Sequence, residues 1–265
     1  LCGGESIDQL FPTLKFDLLE QKYVTHPDIY VSACRYCGLI FENPQIALDI
    51  SPNYTDGHYY NASNPVFEHD KGQRTWNVFR WHVVKNYLPS IAMDKVLDVG
   101  ASGSWSDWIL KREVTRESIL VEPSSEAISL CLRDYKGVRA VQSTFEAFTD
   151  EPRSFDLITF FYSLYMIADP VPAIQNAHSL LKPDGRLVIC ISQLHMDVEI
   201  WTGGVPWLNL AQLNRAVPLV YYSQRTLRLL LETNGFEIME DFEMLTFLEN
   251  LNKYVDLFPK GPHFC

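Results

Sequence analysis

No run of about 18 consecutive apolar residues occurs in the 265-residue chain, so no segment reads as a membrane-crossing helix. Nothing near Leu1 has the basic, apolar and small-residue regions of a secretory leader, and the expected location is cytoplasmic. Basic runs are missing as well: 22 Lys and Arg stand against 33 Asp and Glu, giving a net charge of −11. Such a chain repels a phosphate backbone, which disfavours nucleic acid as a partner unless folding assembles a local basic patch. Six cysteines in a chain of this length do not make the dense framework of a small secreted disulfide protein. What is present is ordinary globular content, 47% hydrophobic and 13% aromatic, enough for a large core with a small appendage.

The most informative stretch is Lys95-Val-Leu-Asp-Val-Gly-Ala-Ser-Gly-Ser-Trp105. Val96, Leu97 and Val99 form a short apolar run that reads as a buried strand. It ends in an acid-Val-Gly turn that opens a helix, and Gly100 and Gly103 let the backbone approach a ligand at the helix N-terminus. Two landmarks follow: the run Ile119-Leu-Val-Glu122, ending in an acid, and the strand-like run Phe155-Asp-Leu-Ile-Thr-Phe-Phe161.

With these landmarks, residues 95–192 resemble a class I S-adenosylmethionine-dependent methyltransferase. The Asp98-Val-Gly100 turn is similar to that family's first motif, and Glu122 stands where its second strand presents an acid to the ribose hydroxyls. A carboxylate suits that task because it accepts from both neighbouring hydroxyls of one ribose. Phe155-Asp-Leu-Ile158 resembles the fourth strand, and the Leu180 to Leu187 stretch the turn into the fifth. Ser102 and Ser104 occupy positions where glycine is commoner, with Gly103 between them. The resemblance implies an α/β fold, a Rossmann-like seven-stranded doubly wound sheet, that binds S-adenosyl-L-methionine. The implied cofactor-binding set is Asp98, Gly100, Ala101, Ser102, Gly103, Glu122, Pro123, Thr144, Phe145, Phe161 and Tyr162. Phe145 would stack on the adenine, and Phe161 and Tyr162 would lie near the transferable methyl.

The rival cofactor, a nicotinamide dinucleotide, calls for a Gly-x-Gly-x-x-Gly spacing that is not satisfied here. Its pyrophosphate also needs a helix N-terminus free of nearby negative charge, whereas Asp98 stands just before Gly100. Structural alternatives stay open for single residues. Asp98 can bond the backbone of its own turn. Glu122 can serve as a helix N-terminal charge before Pro123-Ser124-Ser125. Phe145, Phe161 and Tyr162 can be core.

Cys34-Arg-Tyr-Cys37-Gly38 is the kind of turn that aims two thiolates at one tetrahedral metal, and Cys2-Gly3-Gly4 reads as the second half of another. That half-motif predicts a partner cysteine upstream of Leu1. Residues 34–44 resemble a subgroup of methyltransferases acting on sugars and small metabolites, in which a four-cysteine zinc ribbon ends in Cys-x-x-Cys-Gly-x-x-Phe-x-Asn-Pro. The expected metal is a structural Zn2+ held by Cys2, Cys34 and Cys37, with His26 or His58 as a possible further ligand. Reduced structural thiols are the alternative. Cys131 and Cys190 fall in apolar runs and read as small core residues.

The organisation expected is a zinc-ribbon-like module over residues 1–50, a connecting loop and helix over 51–92, and the methyltransferase domain over 93–265 with an insertion at 193–222. Tyr54, His58, Tyr59 and Tyr60 lie in a loop able to close over the cofactor, or simply packed on the surface. Trp76, Phe79, Val83, Val84 and Tyr87 recur at helical spacing and predict a helix over 71–88 that Pro89 ends. Further helices are expected over 104–111, 124–133, 171–181 and 223–234, the last stopped by Gly235, and a final strand pair over 236–242 and 245–251.

The expected reaction is in-line displacement of a sulfonium methyl by a small-molecule acceptor, where alignment accounts for much of the rate. For a hydroxyl acceptor the base candidates are His195, just past the fifth strand, and then His58. Phe161-Tyr162-Ser163 after the fourth strand is not the Asn/Asp-Pro-Pro-aromatic motif of many amide and exocyclic-amine methyltransferases. The acceptor expected is a sugar, nucleotide sugar or secondary metabolite. The alternatives are an rRNA or tRNA methyltransferase whose ribbon reads RNA, and a non-catalytic scaffold that keeps the fold. The oligomeric state is open.

Overall fold

The computed structural model describes residues 6–17, 22–45, 77–78, 80–81, 84–88, 92–100, 104–191 and 219–240. Its centre is a parallel sheet of five strands: β4 (Met93–Val99), β5 (Thr115–Glu122), β6 (Arg139–Gln142), β7 (Phe155–Phe161) and β8 (Leu181–Cys190), in the order β6-β5-β4-β7-β8. Parallel strands need crossovers, and these carry α1 (Ser104–Leu110), α2 (Ser125–Asp134) and α3 (Pro170–Leu180). Strand order reverses between β4 and β7, so the ligand crevice of a doubly wound sheet belongs at their carboxyl ends.

The apolar runs are continuous because both faces of the sheet are covered. Side chains alternate along each strand, so Leu97 and Val99 join one core with Ala173, Ile174 and Ala177 of α3. Val96 and Leu157 join the opposite core with Trp105, Trp108 and Ile109 of α1 and Val84 of the preceding helix. Of the helix expected over 71–88, the described residues from 77 to 85 are helical.

Local signals fix the boundaries. Ser124 caps α2 by accepting from the Ala127 N–H at 3.2 Å. Ser223 and Thr226 form a reciprocal capping box at the start of α4 (Gln224–Thr233). At its end Gly235 takes φ +89°. There the N–H groups of Gly235 and Phe236 donate to Glu232 O and Leu231 O at 3.3 and 3.1 Å, a Schellman closure.

Of the seven strands expected in the sheet, five occur among the described residues. One expectation is corrected: residues 236–240, expected to be strand, are irregular. The Schellman closure turns Phe236 back onto His178 of α3, ring edge to face at 5.3 Å, away from sheet pairing. The rest of the expected final pair, 241–251, lies outside the described residues. The span 193–222, expected to hold no regular element, ends in β9 (Val220–Tyr221).

β9 belongs to a second sheet. β1 (Ile7–Asp17), β2 (Lys22–Cys34) and β3 (Ile40–Asn43) form an antiparallel meander, and β9 pairs with β3 through Ile40 with Tyr221 and Phe41 with Val220. Leu219 to Tyr222 are all buried, and Leu39 packs on the same core as α3 and α4. The N-terminal meander is thereby joined to the larger unit by strand pairing and by shared core.

Candidate methyl-donor site

Asp98 stands next to last in β4 and is fully buried. Its Oδ1 accepts from Thr159 Oγ1 at 2.7 Å and its Oδ2 from Ser106 Oγ at 3.3 Å. Burial pushes the carboxyl up to about 6, against the Thr159 bond, the Arg80 guanidinium and the Ser106 bond, which pull it down. Gly100 follows at φ +68° with its N–H on Val121 O at 2.8 Å. A Cβ there would stand 2.6 Å from Ser163 Cβ, so only glycine suits this turn.

Glu122 ends the neighbouring strand and is 4% exposed. Its Oε1 accepts the Ser124 N–H at 2.9 Å, and no other bond to the carboxylate occurs among the described residues. Burial pushes it up to about 7; the Ser124 bond opposes this and the Asp98 charge adds to it. One oxygen therefore steadies the helix entry and the other retains accepting capacity for a ligand hydroxyl.

Arg80, which sequence reasoning did not single out, lies against the same crevice. Its guanidinium sits 4.6 Å from the Phe161 ring centroid and Nη1 donates to Asn77 Oδ1 at 3.0 Å. Nε is buried with no hydrogen-bond partner among the described residues. Burial draws its pKa down, while Asp98, Cys190 and Tyr162 support its charge. A buried guanidinium N–H left unpaired is costly, and a carboxylate ligand answers it. The signal was legible: Arg80 stands four residues after Trp76 and four before Val84, on the apolar stripe of its helix, where a charge needs a reason. Thr159 and Ser163 were likewise not singled out, although Thr159 is the one hydroxyl inside the run from Leu157 to Phe161.

The remaining expected residues divide. Phe161 is buried edge-on to Trp105 at 5.3 Å. Tyr162 takes φ +60°, its N–H on Cys190 O at 2.7 Å. Its phenol donates to the Cys190 thiol, and burial holds both groups above their usual pKa ranges. Cys190, expected in the core, thus borders the crevice. Pro123 and Thr144 are half-buried, whereas Phe145 turns into the core, edge-on to Phe160 at 5.2 Å. Ala101, Ser102, Gly103, His58, His195 and Cys2 lie outside the described residues.

Residues 62–241 match the family described as "Methyltransferase domain". The chain belongs to this methyltransferase family. No curated protein matches the methyltransferase by sequence. Among solved structures, phosphoethanolamine N-methyltransferase 2 of Haemonchus contortus in complex with S-adenosyl-L-methionine is 15% identical with TM-score 0.60, covering 82% of this chain and 51% of that one. An S-adenosylmethionine-dependent methyltransferase of Mesorhizobium loti is 16% identical with TM-score 0.52, covering 67% and 90%. A chain from a Haloferax volcanii complex that contains the Trm112 methyltransferase activator gives 17% and 0.50, covering 64% and 75%. These likenesses establish the S-adenosylmethionine-dependent methyltransferase fold.

The expected zinc ribbon meets a narrower finding. Cys34 and Cys37 are both buried, and the knuckle closes through Gly38 N–H to Cys34 O at 2.9 Å with Gly38 at φ +76°. Yet no group of three or more His, Cys, Asp or Glu able to hold a metal occurs among the described residues. Two thiols fit half of a tetrahedral site.

Proposed function

We propose that this methyltransferase binds S-adenosylmethionine across the carboxyl ends of β4 and β5 and transfers its methyl to a small-molecule acceptor, a sugar, nucleotide sugar or secondary metabolite. The observation that carries the reading is the joint presence of Asp98, Glu122 and the unpaired Arg80 Nε at one crevice. Glu122 would accept from the ribose hydroxyls, Arg80 would take the donor's carboxylate, and ionised Asp98 would face its cationic end. The acceptor class is supported by the acidic balance of the chain and by the resemblance of residues 34–44 to the sugar-modifying subgroup.

When bound, S-adenosylmethionine supplies an activated methyl on a positively charged sulfur. Its methyl would pass to the acceptor's lone pair with the carbon–sulfur electron pair left on sulfur, and the acceptor's proton would go to a base or to water. This chain's contribution is to bind and align. Among the described crevice residues, Tyr162 and Cys190 stay protonated and act as hydrogen-bonding groups. His195 and His58 remain the proposed bases for a hydroxyl acceptor. A structural zinc on Cys34, Cys37 and Cys2 belongs to the same reading. Metal analysis of protein purified under reducing conditions, beside Cys34→Ser, decides it: a stoichiometric zinc lost in the variant is expected.

The principal test is calorimetric titration with S-adenosylmethionine and, separately, NAD. Micromolar binding of the methyl donor alone is expected, with loss in the Asp98→Ala, Glu122→Ala double variant. Absence of donor binding by intact protein would overturn the reading and favour a scaffold role.

A further inference from the structure

The N-terminal meander ends far in sequence from the Asp98–Gly100 turn, but a short series of contacts joins them. Glu42 N–H of β3 donates to Leu219 O at 3.0 Å, and Leu219 N–H donates to Tyr165 O at 2.9 Å. Tyr165 lies in the short 3-10 turn Leu164–Met166, whose Met166 N–H closes on Ser163 O at 2.9 Å. The Ser163 hydroxyl then donates to Val99 O, one residue before Gly100. Every step is a direct bond or a single tight turn.

Packing makes this series stiff. Leu164, Leu219, Val220 and Tyr222 share one buried cluster with Val99, and close-packed interiors transmit displacement instead of absorbing it. The contact at Gly100 leaves no slack, since a Cβ there would overlap Ser163. A shift of the β3–β9 pair that moves the 3-10 turn must therefore move the turn that receives the donor, or break the Ser163 bond.

We infer that Ser163 is a positioning residue through which the N-terminal sheet sets the Asp98–Gly100 turn, so that donor binding and the β3–β9 pairing stabilise each other. The inference rests on the reading that this crevice binds S-adenosylmethionine. Ser163 itself need not touch the donor. The N-terminal sheet thereby gains a role in the chemistry's first step, in addition to any part it has in choosing the acceptor.

The test is hydrogen exchange on the whole chain with and without S-adenosylhomocysteine, which binds without reacting. Slower exchange is expected at 98–100 and 122–124 and also at 40–43 and 219–221. In Ser163→Ala the ligand binds about fivefold more weakly, still protects the crevice segments, and no longer protects 40–43 and 219–221. A merely structural serine would lower protection with and without ligand alike and leave the ligand's distant effect in place. Distant protection that survives in Ser163→Ala, or that is missing from the unaltered protein while the crevice is protected, overturns the inference alone. Protection nowhere overturns the cofactor reading and the inference with it. Val220→Ala loosens the β3–β9 pair from its far end; a threefold or larger loss of ligand affinity is expected, and unchanged affinity in the folded variant overturns the inference.

Discussion

Thr159 Oγ1 donates to Asp98 Oδ1 at 2.7 Å across the boundary where strand order reverses. The bond joins the two strands whose parting ends open the crevice, and it steadies a carboxylate that has no exposure to water. A buried charge of this kind persists only when its hydrogen bonds are supplied by the fold. Thr159 and Ser106 supply them from β7 and α1.

Thr159→Val keeps the shape and removes the donor. The Asp98 carboxyl then rises above its value of about 6, so the loss is greatest where Asp98 would be ionised. Urea unfolding is expected to show a deficit of about 2 kcal/mol at pH 8 and roughly half that at pH 5. An equal deficit at both values would mean that the hydroxyl serves packing alone.

Asp98 and Glu122 together set opposite pH trends for stability and for binding. Both folded values, about 6 and about 7, lie above the ordinary 3.8 and 4.5. The stability they contribute is full below about pH 4 and is lost as pH rises through 6 and 7. For Glu122 the shift corresponds to on the order of 3 kcal/mol. The ligand-free protein should therefore melt at a lower temperature at pH 8 than at pH 5, and Glu122→Gln should flatten that slope. Donor affinity should run the other way, rising with pH as both carboxylates ionise, with proton release visible by calorimetry in buffers of different ionisation enthalpy.

Legibility in the sequence followed how local each cause was. Strands ending at Val99, Glu122 and Phe161 and the helices between them announced themselves through apolar runs, caps and the Gly235 stop. Asp98, Gly100 and Glu122 were readable for the same reason, since a turn chemistry sits beside each. The β3–β9 pair was not, because two residues of strand matter only once Phe41 and Val220, far apart in the chain, meet. Phe236 to Glu240 misled because an apolar start resembles a strand, while a helix closure decided the path. Arg80 marks its apolar stripe locally, but its place at the crevice depends on Phe161 and Asp98, which only folding brings to it.

Arg80→Met tests that residue. Methionine fills the space, so fold stability should hold or rise, since removing a desolvated charge offsets the lost bond to Asn77. Donor affinity should fall about 10- to 100-fold if Nε receives the donor's carboxylate. Arg80→Lys should not restore it, because an ammonium lacks the planar fork. Unchanged affinity in the methionine variant would remove Arg80 from the site.

Gly100→Ala separates backbone strain from crowding. At φ +68° an added Cβ carries a penalty of about 1 kcal/mol or more, and the 2.6 Å approach to Ser163 Cβ adds a collision with a neighbour that is itself buried. The single variant should lose about 3 kcal/mol of stability and measurable donor binding. Adding Ser163→Gly removes the obstructing atom but not the strain, so the pair should recover part of the stability. Donor binding should stay weak in the pair, because the Ser163 bond to Val99 O goes with the hydroxyl. Full recovery of binding would show that crowding alone, and not the geometry of the turn, reserves this position for glycine.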